Sequence, residues 1–311
     1  MLQPQKGICA EPSLHALYLL LNVNDDDDSL MRIKIAQITD LFAHYDEEHY
    51  EAMVSGVVAI GSSYWHEVYP GLIPVELAPF PDMHYDDRSA PVSPCDLFIQ
   101  VRADRADICH RLAMDIIRIL GSHVDLMEDI RGFRYLDGRD LTGFVYGADN
   151  PKGMQKLDTA LVGELDPDFA GGSYIHVQRY RHNIVKWEQL STVQQEYIMG
   201  RKKSDNSSLS EALKSPRSHF DCTRIVDNQG KALGILRQSM PYGDMHVQGL
   251  FFVSCAKSSK PFEYMLRSMI MNDENGEYDR LLDYTSAETG AAFFAPSLTF
   301  IKQRASLSSH S

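Results

Sequence analysis

The chain has 311 residues, enough for one large domain or two ordinary ones. Its formal net charge of −13 argues against nucleic acid as a main partner, because phosphate binding needs a basic face. The five cysteines are odd in number and none is spaced as CxxC, which argues against a disulfide framework or a zinc-thiolate site and favours a reducing compartment.

The N-terminal region holds one apolar stretch, at residues 14–23. This stretch is too short to span a bilayer, and the segment before it holds a single lysine and no small-residue cleavage site. We therefore expect a mature cytoplasmic protein with no membrane partner.

The first half of the chain predicts two successive strand–helix–strand units. Residues 15–23 are typical of a buried strand, and the acidic run 25–28 predicts a helix N-terminus, where the helix dipole favours negative charge. Further strands are predicted at residues 53–60, 96–101 and 124–130, with a helix between the last two. A loop rich in Pro, Asp and Tyr at residues 70–94 is long enough to suggest function or flexibility. This order of elements is the ferredoxin-like pattern.

The second half repeats that order without a letter-level repeat. Strands are predicted at residues 173–180 and 250–255, helices at 186–199 and 261–271, and a hairpin of residues 223–226 and 232–237 around Asn228-Gln229-Gly230. The polar segment from residue 301 onwards predicts a frayed tail. We expect an α+β fold of two ferredoxin-like halves with antiparallel sheets, comprising residues 1–150 and 151–311.

Four segments carry side chains suited to chemistry, and each also has an ordinary interpretation. The glycine-rich segment 132–153 can be a sharp connection between domains, and it lacks the GxGxxG and the βαβ unit of a dinucleotide site. His219 alone can be an exposed histidine, and Arg237 alone a surface charge at a strand end. The acids of the segment 278–284 can cap a helix.

Together these segments resemble the dye-decolourising (DyP-type) haem peroxidases, over nearly the whole chain. The GFxDGTxNP motif of that family corresponds to GFVYGADNP at residues 143–151, and its GGSY motif to residues 171–174. The Gly-Arg pair lies at residues 200–201, the SH motif at 218–219, the LR-x-x-MP-x-G motif at 236–243 and the DRLLD-x-x-x-A-x-TG motif at 279–290. The bacterial cytoplasmic branch is the most similar.

The resemblance implies a role for each matching residue, with haem b held mainly by the C-terminal half. His219 matches the axial iron ligand, and Asp283 matches the acid that accepts a hydrogen bond from that histidine. Arg237 matches the distal arginine beside the peroxide, and Ser239 a polar residue near the same face. The loop against the porphyrin matches Gly147, Ala148 and Asp149. The resemblance also implies a homo-oligomer, a dimer or larger.

The chain departs from the family at Tyr146, which occupies the position of the distal aspartate. An ionised carboxylate can accept a proton from peroxide, whereas a tyrosine with an ordinary pKa of about 10 is a poor base at pH 7. Four interpretations follow: a slower peroxidase using Arg237 and water, a haem store, carrier or sensor, a Tyr146 used as radical site or distal ligand, and a Tyr146 that only packs on haem. Asp149 or Asp140 could supply the missing carboxylate.

The sequence therefore favours a haem peroxidase that reduces hydrogen peroxide and oxidises aromatic donors, with activity weakened by the loss of the distal acid. The alternative is a haem-binding protein with little or no peroxidase activity. A scaffold without haem is disfavoured, because it has no use for His219, Asp283 and Arg237 together.

Overall fold

The computed structural model describes residues 3–24, 27–164, 166–226, 229–230 and 232–308. The strands are β1 (His15–Val23), β2 (Ser55–Gly61), β3 (Met83–Tyr85), β4 (Arg88–Ala90), β5 (Leu97–Ala103), β6 (Val124–Phe133), β7 (Ser173–His182), β8 (Leu236–Arg237), β9 (Met240–Gly243), β10 (Gln248–Ala256) and β11 (Thr285–Ala295). The helices are α1 (Asp28–Glu48), α2 (Trp65–Val68), α3 (Ala106–Leu120), α4 (Met154–Ala160), α5 (Ile184–Glu188), α6 (Thr192–Met199), α7 (His219–Thr223), α8 (Lys260–Ile270) and α9 (Leu298–Ser308).

Each half has the ferredoxin-like strand order. In the N-terminal half the antiparallel order is β2-β5-β1-β6, and in the C-terminal half it is β11-β7-β10-β9, with β8 also paired to β10. Both orders place the first and third strands of a half at the centre. The prediction of two ferredoxin-like halves is confirmed.

The two sheets also join at their edges. Strand β11 pairs with β2 through Phe293 and Phe294, and β6 pairs with β9 where Gly132 lies opposite Tyr242. Eight strands therefore close into a ring around an apolar interior that includes Tyr18, Phe98 and residues from both halves. The sequence did not indicate this closure, because strand pairings of only one or two residues leave no periodic pattern.

Two further apolar layers cover the outer faces of the ring. One lies between the N-terminal sheet and helices α1, α3 and α9, and the other contains the apolar side chains of α8 and the outer face of β7 and β10. Helix α9 corrects the prediction of a frayed tail, because Phe300 and Ile301 are buried against the first layer. In the part of the chain that the structure describes, no helix is long and apolar enough to cross a membrane.

Two predicted elements of the second half are wrong in detail. The helix predicted at residues 186–199 is two helices, because Ser191 starts α6 with a capping box to Gln194. The hairpin predicted from residues 223–226 and 232–237 is present but shorter: an antiparallel bridge joins Val226 to Ala232, while residue 223 ends α7 and residues 236–237 form β8. Asn228, in its predicted turn, lies outside the described residues.

The segment between the halves packs against the C-terminal half. Phe144 shares an apolar cluster with Trp187, Ile198 and Leu281, and Arg139 donates to the carbonyl oxygen of Lys203 at 2.6 Å. Residues 138–151, which we name the distal loop, therefore pack against the C-terminal half of the chain.

Candidate active site

His219 begins α7, a short helix that the sequence caps locally. The Ser218 side chain accepts a hydrogen bond from the backbone N–H of Asp221, as a serine at this position commonly does. This cap fixes the direction in which the next side chain leaves the helix. The Nδ1 atom of His219 lies 2.7 Å from Oδ2 of Asp279, and that carboxylate is fully buried. The ring is about one quarter exposed.

Asp279, and not Asp283, is the partner of His219, so that assignment from the resemblance is wrong. The two acids stand at opposite ends of a 3₁₀ turn, Arg280–Asp283. Because a 3₁₀ helix has three residues per turn, side chains four residues apart point in directions that differ by about 120°. Asp279 caps this turn, with Oδ1 accepting from the backbone N–H of Leu281 at 3.0 Å. Asp283 instead accepts from the hydroxyl of Tyr278 at 2.8 Å and is one third exposed.

Arg237 and Ser239 lie along β8 and the residue that leads into β9. Asn150 of the distal loop clamps the Arg237 backbone, because its side chain accepts from the Arg237 N–H at 2.9 Å and donates to the Arg237 carbonyl at 2.8 Å. The guanidinium itself donates to the carbonyl of Thr223, at the end of the helix that carries His219. One loop thus sets the backbone position of the predicted distal arginine.

Tyr146 contacts the other predicted distal residue. Its hydroxyl lies 2.7 Å from Oγ of Ser239, which also accepts from the N–H of Val253 at 2.9 Å and donates to the carbonyl of the same residue at 3.3 Å. Either hydroxyl of the Tyr146–Ser239 pair can be the donor of this bond. Burial raises the pKa of Tyr146 to about 12, although the charge of Arg237 and the bond to Ser239 oppose the rise. The phenol is therefore neutral at physiological pH.

The remaining residues of the distal loop form a turn at its exposed end. Gly147 has a positive φ of 68°, and its carbonyl accepts from the N–H of Asn150 at 3.0 Å. Ala148 and Asp149 are exposed. Asp149 forms an ion pair with Arg201 at 2.7 Å, and the Arg201 guanidinium lies over the ring of Phe220, next to His219.

Asp140 is buried and already bonded, so its carboxylate is not free to face the distal site. Oδ1 lies 3.2 Å from Nε2 of His182, and Oδ2 accepts from the hydroxyl of Thr142 at 2.8 Å. Asp279, Asn150 and the Asp140–His182 pair are the site residues that the sequence did not single out for these roles. The DRLLD motif contains two acids, so the sequence did hold a signal for Asp279. The contacts of Asn150 with Arg237 and of Asp140 with His182 join residues far apart in the chain, so no sequence motif indicates them.

The donor set of this site fits an iron porphyrin. The bond to Asp279 occupies Nδ1 of His219, and among the described residues no hydrogen bond is recorded for Nε2. A histidine with one nitrogen fixed by a buried carboxylate and the other free is the arrangement that metal-ligating histidines adopt. Arg237, Ser239 and Tyr146 form a second polar group on another element. These residues are suited to a haem site in which His219 would hold the iron and the second polar group would face the other side of the porphyrin.

Comparisons with known proteins agree with this class. The family model described as "Dyp-type peroxidase, N-terminal" matches residues 5–134, and "Dyp-type peroxidase, C-terminal" matches residues 137–300. A dye-decolorizing peroxidase of Mycolicibacterium paratuberculosis is 35% identical over 96% of this chain and 85% of its own length. The chain belongs to the Dyp-type peroxidases, a family of haem oxidoreductases that act on peroxide.

Solved structures agree as well. A dyp-type peroxidase protein from Shewanella oneidensis is 46% identical, with a TM-score of 0.95 over 97% of this chain and 99% of that one. A DypB variant from Rhodococcus jostii in complex with heme is 36% identical, with a TM-score of 0.91 over 96% and 97%. The encapsulated DyP-type peroxidase from Mycobacterium smegmatis is 32% identical, with a TM-score of 0.93 over 97% and 98%.

Proposed function

We propose that this chain is a haem b peroxidase of the dye-decolorizing type, which reduces hydrogen peroxide and oxidises aromatic donors. The observation that carries the proposal is His219, held at Nδ1 by the buried Asp279, with no hydrogen bond from Nε2 to any residue that the structure describes. When bound, haem supplies the redox chemistry, accepting oxidising equivalents from peroxide and passing them to donors one electron at a time. Asp279 keeps the Nδ1 proton of His219 in place, which leaves Nε2 as the basic nitrogen.

The distal residues favour an enzyme with a slow peroxide step. We propose that Tyr146 stands where the family has an aspartate, and that it cannot accept a proton because its phenol, with a pKa of about 12, already carries one at physiological pH. Arg237 supplies positive charge for the departing oxygen. Neither Asp140, paired with His182, nor the exposed Asp149, paired with Arg201, is free to replace the missing base. Water is left as the proton carrier.

Haem titration tests the cofactor assignment. Wild-type protein should take up one haem per chain and give the absorption spectrum of histidine-ligated ferric haem. His219→Ala should lose that spectrum, and haem affinity should fall by at least about tenfold. Equal spectra for the two proteins would exclude His219 as the ligand.

The Tyr146→Asp variant tests the distal assignment in stopped-flow mixing of the haem-loaded protein with peroxide. A carboxylate that accepts the proton contributes about 10²–10⁴-fold, so the variant should react with peroxide at least about a hundredfold faster than the wild type. Tyr146→Phe is the matched control, because it removes the hydroxyl and adds no base; it should not accelerate the reaction. An unchanged rate in Tyr146→Asp would contradict the claim that this residue limits the peroxide step.

The alternative function, a haem store, carrier or sensor, is favoured by the same neutral Tyr146. It predicts that haem-loaded wild type shows no reaction with peroxide while haem stays bound.

We also propose a cytoplasmic location, supported by five cysteines that are all free thiols, and a homo-oligomer. Sedimentation of the purified protein would test the oligomeric state.

A further inference from the structure

A buried ion pair lies behind the distal loop and has no part in the proposed peroxide chemistry. Asp140, near the start of the loop, faces His182, the last residue of β7, with Oδ1 and Nε2 3.2 Å apart. The side chains are 11% and 5% exposed, so water does not screen the pair well. An ion pair in such surroundings needs further hydrogen bonds to be stable.

Those further hydrogen bonds are present on both sides. The second oxygen of Asp140 accepts from the hydroxyl and the backbone N–H of Thr142. On the other side, Nδ1 of His182 lies 2.8 Å from the hydroxyl of Thr285, which donates its only proton to the carbonyl of Arg181 at 3.2 Å. These bonds join the imidazole of His182 to both segments. The contacts with His182 and Thr142 lower the pKa of Asp140 to about 2, although burial alone would raise it.

The pair holds a compact turn that leads directly to Tyr146. Within the turn, the N–H of Asp140 donates to the carbonyl of Phe144, and the N–H of Gly143 donates to the carbonyl of Asp140. The indole N–H of Trp187 donates to the carbonyl of Thr142 at 2.9 Å. The N–H of Tyr146 donates back to Gly138 at 3.1 Å. A shift of Asp140 would therefore shift the backbone of Tyr146.

The same pair reaches the segment that carries the partner of His219. Thr285 is the first residue of β11 and follows the 3₁₀ turn that Asp279 caps. His182 is bonded to Asp140 on one side and to Thr285 on the other, so one imidazole ring bridges the distal loop and the start of β11.

We propose that Asp140 and His182 are positioning residues, which fix the distal loop and therefore Tyr146 at a set place relative to the C-terminal sheet. The proposal rests on the proposed function for its consequence, a slower peroxide reaction when the pair is broken. Its structural part, the fixing of the loop, does not depend on haem.

Hydrogen–deuterium exchange of the haem-free full-length chain tests the structural part. Breaking a buried, charge-assisted bond by Asp140→Asn should accelerate exchange of the amides of residues 138–151 by roughly tenfold to a hundredfold. Exchange in residues 248–256 of the central strand β10 should stay unchanged. Asp137→Asn is the matched control, because Asp137 lies in the segment before the turn, pairs with Arg139 at 2.7 Å and is mostly exposed. This control should leave exchange within about twofold of wild type.

A second variant covers the case in which Asp140→Asn does not fold. Thr142→Val removes one neutral donor to Asp140 and keeps the ion pair, so it should accelerate exchange of the same residues by roughly threefold to tenfold. The proposal is overturned if Asp140→Asn behaves like Asp137→Asn, or if either variant accelerates exchange equally along the whole chain.

The haem-loaded proteins then separate the two proposals. Asp140→Asn should bind haem with wild-type affinity, since His219 is not touched, and should react more slowly with peroxide by roughly tenfold. A wild type that binds no haem would contradict the proposed function and leave the exchange result standing. A loosened loop with an unchanged peroxide rate would contradict the positioning role alone.

Discussion

At the scale of single residues, the two acids of the DRLLD motif have separate environments. Asp279 is fully buried, with one oxygen on a backbone N–H and the other on His219. Asp283 lies beside Tyr278 and Arg280 and lines an open cleft of about 600 Å³. Only the first can fix the tautomer of the histidine, because only the first contacts its ring.

Substituting each acid in turn tests this difference. Asp279→Asn should weaken haem binding by roughly tenfold to a hundredfold, because His219 loses the carboxylate that fixes its ring and tautomer. Asp283→Asn, the same change four residues along the chain, should bind haem within about twofold of wild type. Haem titration followed by absorbance measures both. A larger loss in Asp283→Asn than in Asp279→Asn would contradict the assignment.

Many of the candidate site residues could be predicted from the sequence, but the residues that hydrogen-bond to them could not. The motifs identified His219, Arg237 and Ser239, and the structure brings Ser239 into contact with Tyr146. The choice between Asp279 and Asp283 depended on whether the segment is an α-helix or a 3₁₀ turn, which the letters DRLLD do not decide. Asn150 lies in the glycine-rich segment, but the sequence does not predict its clamp on Arg237, 87 positions away.

At the scale of elements, the distal loop is held by bonds of very different strength. Its exposed end relies on the ion pair of Asp149 with Arg201, in which the carboxylate is 59% exposed. Its base relies on the buried pair of Asp140 with His182. Exposed pairs contribute little to stability, so we expect the base of the loop to be the fixed end.

The low pKa of Asp140 makes a prediction about acid stability. A carboxyl group whose pKa falls on folding from an ordinary value of 3.8 to about 2 stabilises the fold by about 2 kcal/mol above pH 5. That stabilisation fades as the pH falls from about 4 through about 2, and it is lost at lower pH, where the group is protonated in both states. Asp140→Asn should therefore lower the free energy of unfolding most at pH 7 and less at pH 3, as measured by urea unfolding. A cost that grows on acidification would contradict the pairing.

Element boundaries show where sequence patterns stop being informative. The strand at residues 15–23 was predicted to the residue, whereas those predicted at 53–60, 96–101 and 250–255 are shifted or extended by one or two residues. Strand β11 was missed, because its polar first half around Glu288 and its glycine interrupt the apolar pattern. Helix α9 was missed because its bulky apolar residues Leu298, Phe300 and Ile301 cluster in its first turn, ahead of a mostly polar remainder. Both depend on tertiary contacts that supply the burial.

At the scale of the whole molecule, the ring of strands joins the two halves at two junctions, β11 with β2 and β6 with β9, where backbones and side chains pack closely. At Gly132 on β6 an added Cβ would lie 2.8 Å from the Cβ of Met240 and 3.1 Å from the ring of Tyr18. Neither atom is the far end of a flexible chain, so the strands themselves would have to move. The junction between β6 and β9 therefore requires glycine at this position.

Gly132→Ala should accordingly destabilise the protein by about 1–3 kcal/mol, the usual cost of overpacking a core. Gly163→Ala is the matched control, because nothing lies within 4 Å of a Cβ added there. Urea unfolding at pH 7 measures both. If the two variants unfold at the same urea concentration, the close contact between the halves is not as the structure has it.

The central claim, that this family member is a working peroxidase, is tested most directly by steady-state oxidation of an anthraquinone dye by haem-loaded protein. We predict turnover that requires both peroxide and haem and that falls by about 10²–10³-fold in Arg237→Leu, which lacks the positive charge beside the peroxide. A wild type that holds its haem and does not oxidise the dye would contradict the claim and leave haem binding as the function.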